Sequence, residues 1–356
     1  MKKLEIHGRT GDSTIVTGES LRNLTQYIPS EKAAIITDTN VRRLYLKDFP
    51  PGEVIEIGTG ETLKTLDTVQ GIYKKLVEIE ADRSHFILGI GGGIVCDIAG
   101  FVASTFLRGV RFGLVPTTLL SQADAGVGGK NGVNYSGYKN MIGVFHQPEC
   151  VLCDANLLRT LPEREVRCGL AEIVKHAAIA DAELFSYLEG TYKRALALKA
   201  EVMERLVYDS LLIKSSIVSG DETEKGERRK LNFGHTFGHA IEKTTGLSHG
   251  EAVSIGMVIA SALSVKKGLL PEGERQRIVE LLENLRLPTW VRVDEKAVLD
   301  AIKRDKKRMG EALSFVLLHG IGTAVVEEMP LKELEDTVHQ IRDQLISTVL
   351  ENAITS

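Results

Sequence analysis

Residues 85–101 read HFILGIGGGIVCDIAGF. An apolar run rich in strand formers ends at three adjacent glycines, Gly91, Gly92 and Gly93, and a helical pattern follows. Strand, glycine turn and helix in that order let the main chain approach a phosphate closely and aim amide groups and a helix N-terminus at it. The spacing is not GxGxxG, and a tight turn that merely needs positive φ angles is the competing reading. Around this unit the same texture repeats, with AAIITDTN at 33–40, VIEIG at 54–58, a helix over about 61–80 and RFGLVPTT at 111–118. In the helix, Leu63, Leu66, Val69, Ile72, Tyr73 and Leu76 follow the helical period. Strands alternating with helices predict a parallel sheet of Rossmann-like type, with ligands at the carboxyl ends of its strands. Two further strand ends carry polar residues, Asp38 and Asn40 for ribose hydroxyls and Thr117 and Thr118 for a pyrophosphate. Each is also ordinary turn or cap chemistry.

After VLCD at 151–154 the texture turns to long helical segments such as AELFSYLEGTYKRALAL and EKAVLDAIKRDKKRM. A boundary near residue 155 is expected, with an α/β nucleotide-binding domain at 1–155 and a mostly α-helical domain at 156–356. The tail from Leu331 reads as terminal helix. The 356 residues suffice for two cores, and 43% hydrophobic content describes a globular chain. No apolar run is long enough to span a membrane, and the N-terminus lacks the apolar centre of a signal peptide, so a cytoplasmic enzyme is expected. A net charge of −4 and a pI near 6.2 give no general electrostatic case for nucleic acid. Cys150 and Cys153 form a lone CxxC that reads as strand core, and Cys96 and Cys168 as buried thiols, with no disulfide framework.

The segment LNFGHTFGHAIEKTTGLSHGE, 231–251, places His235, His239 and His249 among small and apolar residues. His235 and His239 share a helix face, but Thr236 stands where a zinc protease has its glutamate, which argues against peptide hydrolysis. His249 stands at what reads as a helix entry. A catalytic zinc takes three protein ligands and keeps an open position, and the best carboxylate is Glu172 in GLAEIVKHA. Lys175, three residues on, is on the same face, where a solvated ion pair is the plain alternative. Lys130, Lys139 and Asn140 lie in GVGGKNGVNYSGYKN, whose composition suits a loop folding over an anion. Arg108, Lys214, Arg228, Lys306 and Lys307 add further positive charge; some of these are ordinary surface residues, and a phosphorylated, carboxylated small molecule would explain the remainder.

From GETLKT (60–65) through RGVRFGLVPTTLLSQADAGVGGKNGVN (108–134) and LRTLPEREVRCGLAEIVKH (158–176) to DKKRMGEALSFVLL (305–318), the chain resembles the 3-dehydroquinate synthases of the sugar phosphate cyclase superfamily. The resemblance implies an NAD-binding domain, a helical metal-binding domain, a cleft between them and a homodimer. It places zinc or cobalt on Glu172, His235 and His249, and His239 on the substrate phosphate instead. It places Asp38, Asn40, Glu61, Lys64, Gly92, Gly93, Asp97, Thr117, Thr118 and Lys139 on NAD. Lys130, Lys214 and Arg228 fall on carboxylate or hydroxyl contacts, Asn140, Asn232, Glu224, Lys306 and Lys307 on substrate or phosphate positions, and Asp124 and Lys175 near the reacting centre. Arg108 would come from the other subunit. The implied reaction converts 3-deoxy-D-arabino-heptulosonate 7-phosphate to 3-dehydroquinate and phosphate by transient oxidation, β-elimination, reduction and intramolecular aldol closure. Three places depart from the family pattern: Cys96 in the glycine turn, Ala125 and Gly126 after Asp124, and Asn131 after Lys130. The small-residue variation of the substrate loop, Ala125, Gly126 and Asn131, resembles cyclases that make cyclitols from sedoheptulose 7-phosphate, the alternative substrate. A metal-dependent polyol dehydrogenase is a more distant alternative.

Overall fold

The computed structural model describes residues 1–8, 10–29, 32–221, 226–306, 312–330, 332, 333 and 336. Glu224, Lys307 and nearly all of the expected tail helix lie outside these residues, as do the side chains of Lys306 and Ala125. Two compact units are present, Met1–Gly169 with Leu198–Glu222, and Leu170–Ala197 with Thr223–Ser356. Sequence texture put one boundary near 155, whereas unit membership changes after 169, 197 and 222.

The first unit contains strands β1 (Lys2–Gly8), β2 (Gly11–Thr17), β3 (Ala33–Asp38), β4 (Glu53–Ile57), β5 (Phe86–Gly91), β6 (Phe112–Pro116), β7 (Lys130–Tyr135), β8 (Tyr138–Phe145) and β9 (Cys150–Cys153). Its first helices are α1 (Thr39–Tyr45), α2 (Leu66–Glu78) and α3 (Gly93–Thr105). Seven strands form one sheet in the order β1-β2-β9-β6-β5-β3-β4, antiparallel between β1 and β2 and parallel elsewhere. β5, β6 and β9 are buried at every position, as expected of parallel strands covered on both faces. The chain leaves β3 towards β4, then returns past β3 to β5, so the topological switch point lies between β3 and β5. Asp38 and the glycine turn stand at the carboxyl ends of those two strands. The helix expected over 61–80 is divided: residues Glu61–Leu63 form a 3-10 turn, and α2 starts at Leu66, because the Thr65 hydroxyl accepts from the Thr68 amide as an N-cap. GVGGKNGVNYSGYKN is a hairpin, β7 with β8, instead of a loop. Its tight turn uses Gly137 at φ +79°, and its polar composition hid the strands from a hydrophobic-pattern reading.

Helix α4 (Glu163–Ala180) begins in the first unit and ends in the second, α5 (Ala182–Leu196) belongs to the second, and α6 (Ala200–Gly220) to the first. The second unit continues with α7 (His235–Thr245), α8 (His249–Lys266), α9 (Glu272–Asn284), α10 (Glu295–Lys306) and the antiparallel pair β10 (Ala312–Leu318) and β11 (Ala324–Pro330). This hairpin is an addition to the mostly helical domain read from the sequence. α8 is apolar all round, with twelve of its eighteen residues buried, as befits the central helix of a core. Among the described residues no helix is long and apolar enough to cross a membrane.

Candidate active site

In the second unit, α7 and α8 meet through glycine. A Cβ on Gly256 of α8 would stand 1.9 Å from the Gly234 carbonyl oxygen, and one on Gly238 would stand 3.2 Å from the Val253 Cα. Gly234 sits at φ +76°, where side chains are disfavoured, and turns the chain into α7 so that His235 is its first residue. His249 is likewise first in α8, behind a capping box in which the Ser248 hydroxyl meets the Glu251 amide and the Glu251 carboxylate accepts from the Ser248 amide. The two helix starts therefore hold His235 and His249 side by side, with ring centroids 5.3 Å apart.

Glu172, fully buried on α4, faces both: its Oε1 is 3.6 Å from His235 Nε2 and 3.3 Å from His249 Nε2. Ligand atoms of the three residues lie within 4.8 Å of one another. The far ring nitrogens are held as well, His235 Nδ1 by the Phe233 carbonyl at 3.1 Å and His249 Nδ1 by Glu242 Oε2 at 3.4 Å. A neutral imidazole that donates from Nδ1 offers its Nε2 lone pair to a cation, the usual support for a metal ligand. One carboxylate and two such nitrogens fit a divalent metal with open positions. Burial pushes His235 well below the usual imidazole range, with the Lys175 ammonium acting in the same direction. Burial acts likewise on His249, but hydrogen bonds with Glu172 and Glu242 carry it up to about 9. Lys175 is ion-paired to Glu172, and with the two side chains 2% and 0% exposed, this is no solvated pair.

The remaining residues of this unit are arranged more openly. His239 is exposed on the same face of α7, its ring 5.2 Å from that of His235. Arg228 is buried in the 3-10 turn Glu227–Asn232, which ends at the half-buried Asn232.

In the first unit, the glycine turn caps α3 with Gly92. A Cβ there would come within 3.1 Å of Thr118 Cγ2, and the Thr117 amide donates to the Gly91 carbonyl at 2.9 Å, so the ends of β5 and β6 are locked together. Asp38 caps α1, accepting from the Asn40 and Val41 amides. Lys64, buried, is ion-paired to Asp97 of α3 and donates to Asn140 of β8. The Asn140 amide donates to Asn134, whose own side-chain amide donates to Glu61 at 2.8 Å. Glu61, Lys64, Asp97 and Asn140 thus form one network, although Asn140 was read as a phosphate contact and the others as NAD contacts. Asn134 joins it unforeseen, with no sequence signal beyond its place in the hairpin. Burial raises the Asp97 carboxyl, against the pull of Lys64. Lys214 is ion-paired to Asp124 at 2.7 Å. Lys130 and Lys139 are exposed on the hairpin, and Arg108 is exposed at φ 67° beside an open cavity of about 570 Å³ that Arg83, Arg111 and His146 also line.

Residues 54–168 match the 3-dehydroquinate synthase N-terminal family, and residues 169–308 the 3-dehydroquinate synthase C-terminal family. The chain belongs to the 3-dehydroquinate synthase family. The family's two segments join one residue from the point where α4 changes units. The 3-dehydroquinate synthase of Dehalococcoides mccartyi strain CBDB1 is 41% identical over 325 residues, 88% of this chain and 90% of its own. Among solved structures, a 2-deoxy-scyllo-inosose synthase complexed with carbaglucose-6-phosphate, NAD+ and Co2+ aligns with a TM-score of 0.86 and 25% identity, over 95% of this chain and 100% of that one. The 2-epi-5-epi-valiolone synthase of Streptomyces hygroscopicus subsp. jinggangensis 5008, with NAD+ and Zn2+ bound, aligns at 0.85 and 28%, over 95% and 98%.

Two of the departures from the family pattern, Cys96 and Asn131, have structural accounts. Cys96 is buried in α3, its thiol 3.6 Å from the Gly91 carbonyl, and lies within the core. Asn131, also buried, donates from Nδ2 to the Gly129 carbonyl at 2.9 Å and the His146 carbonyl at 2.8 Å. Its Oδ1 occupies the space over Gly100, where a Cβ would stand 1.8 Å away.

Proposed function

We propose that the chain converts 3-deoxy-D-arabino-heptulosonate 7-phosphate to 3-dehydroquinate and phosphate with one catalytic NAD and one divalent metal, zinc or cobalt, as a cytoplasmic homodimer. The observation that carries this reading is the Glu172, His235 and His249 cluster, built with both histidines oriented from behind, in a chain of this family. Glu172, His235 and His249 would hold a divalent metal, which would supply a Lewis acid that acidifies a substrate hydroxyl. NAD, at the glycine turn, supplies a hydride acceptor that the cycle restores.

The chain's own residues bind and orient. Arg228, buried and planar, suits bidentate capture of the substrate carboxylate, with Lys130 and Lys214 as further cationic contacts. The Asp124 carboxylate fixes the Lys214 ammonium, so this charge is in place before substrate arrives. His239, Asn232, Asn140, Lys306 and Lys307 are assigned to the phosphate that departs, together with Arg108 from the partner subunit. Lys175, held against Glu172, adds a positive charge to the reacting centre. Asp38, Asn40, Thr117, Thr118 and Lys139 take NAD at the switch point of the sheet, and the Glu61, Lys64 and Asp97 network supports that site. Cations outnumber candidate acids and bases, as suits a reaction whose difficulty is positioning and charge.

Sedoheptulose 7-phosphate is the second reading, raised by the departures in the substrate loop. Asn131 weighs little in its favour, because both its amide hydrogens are used on carbonyls of its own hairpin. The test is phosphate release by the metal-loaded protein with catalytic NAD, using each sugar phosphate in parallel. Release from the heptulosonate without net NADH is the expected result. Release from sedoheptulose 7-phosphate alone would overturn the assignment of Arg228 and Lys130, and NADH accumulation with glycerol would point to a polyol dehydrogenase.

A further inference from the structure

Glu242 has no place in the site as read from the sequence. It lies in the last turn of α7, seven residues before His249, and the chain then turns at Gly246, φ +73°, whose amide donates to the Glu242 carbonyl at 3.2 Å. This reversal sets the first residue of α8 against the last turn of α7. Glu242 Oε2 comes to 3.4 Å from His249 Nδ1, while His249 Nε2 faces Glu172. The Glu242 side chain is 15% exposed, so water competes weakly for its carboxylate. His249 is thus placed twice: the capping box between Ser248 and Glu251 fixes the start of the helix that His249 opens, and Glu242 meets its ring.

We propose that Glu242 is the positioning residue of the metal site, which selects the His249 tautomer protonated at Nδ1 and aims Nε2 at the ion. The proposal rests on the metal reading given above. His235 receives the same service from the Phe233 carbonyl, a main-chain group that substitution cannot remove. Glu242 is therefore the side chain through which metal affinity is tuned without replacing a ligand. A carboxylate behind the imidazole also raises its basicity, which a neutral carbonyl does less well.

The experiment strips metal from the full-length parent protein and from Glu242→Gln and Glu242→Leu, then titrates each with Zn2+ against a chelator of known affinity. Glu242→Leu is expected to bind Zn2+ about 10- to 100-fold more weakly. Glu242→Gln, which keeps an acceptor oxygen but loses the charge, falls between it and the parent. NAD affinity stays unchanged in both variants, the visible spectrum of the Co2+-loaded variants shifts, and excess Zn2+ recovers turnover. Zn2+ affinity within twofold of the parent in both variants, with an unchanged Co2+ spectrum, overturns the proposal. So does a change confined to the unfolding midpoint of the metal-free protein, and the Gln variant keeps that comparison available should the Leu variant not fold. A parent protein that takes up no Zn2+ would instead sink the metal reading itself.

Discussion

Gly256→Ala tests whether the crossing of α7 and α8 sets the geometry of the metal site. The new Cβ would stand 1.9 Å from the Gly234 carbonyl oxygen, 1.1 Å inside the 3.0 Å that real Cβ contacts keep. The obstacle is main chain, with the Gly234 carbonyl carbon at 2.8 Å and the Gly238 amide nitrogen at 3.0 Å, so no side-chain rotation relieves it. The helices must part by about 1 Å, and overpacking of this kind costs about 1–3 kcal/mol. Gly234 is bonded to His235, so the displacement passes directly to a ligand, whereas metal–ligand distances tolerate about 0.2 Å. The expected protein folds with reduced stability, binds Zn2+ at least tenfold more weakly and loses most turnover, while its NAD affinity is retained. Denaturant unfolding, chelator competition and phosphate release measure the three effects. Unchanged Zn2+ affinity in a protein destabilised by the expected amount would refute the link between helix crossing and ligand placement. An unchanged unfolding midpoint would refute the steric argument as well.

Lys64→Met leaves Asp97, 19% exposed, without its buried cation, and is expected to cost about 3 kcal/mol at pH 8 and to weaken NAD binding. The Asp97 carboxyl is already raised in the folded protein, so the folded state gains protons relative to the unfolded one; the deficit of the variant should therefore shrink as pH falls through that raised pKa, and a pH-independent deficit would count against the pair. Asn131→Thr should destabilise the protein by about 1–3 kcal/mol by leaving the His146 carbonyl oxygen without its donor, while the ratio of turnover on the two sugar phosphates stays the same; a changed ratio would make Asn131 a specificity residue. Arg228→Ala should weaken the carboxylated substrate by about 1.5–3 kcal/mol, read as a raised KM, and an unchanged KM would remove it from the site. None of the four cysteines is in a disulfide and all are buried, and burial pushes the thiols of Cys150 and Cys153 up to about 12, so a thiol reagent at pH 8 should label none in the native protein and four after denaturation.

The parts of the molecule legible in the sequence are those whose signal is local. The strand, glycine turn and helix at 85–101 required only a buried apolar run, residues without Cβ and a helical period, and β5, Gly92 and α3 stand there. His235 and His249 were legible because each opens a helix beside small residues. The hairpin of β7 and β8 was not, since its polar positions are occupied by a network joining Glu61, Lys64, Asp97 and Asn140 across 80 residues of chain, a relation that no periodicity records. Glu242 escaped for another reason. Its seven-residue separation from His249 becomes contact only because Gly246 reverses the chain, and an acid in the last turn of a helix runs against the usual preference for cations there.

That misplaced acid is itself informative. A carboxylate at the C-terminus of α7 is held close to the helix's own negative pole, an arrangement that costs free energy unless a positive group faces it. His249 faces it at 3.4 Å, and a metal held by His249 would add positive charge on the far side of the imidazole. Glu172 on the other side is a second buried carboxylate, compensated by Lys175. Two acids, 15% and 0% exposed, therefore flank the same imidazole from opposite ring nitrogens. Such an array favours positive charge on the imidazole between the two acids, and the turn from α7 into α8 supplies the place for it.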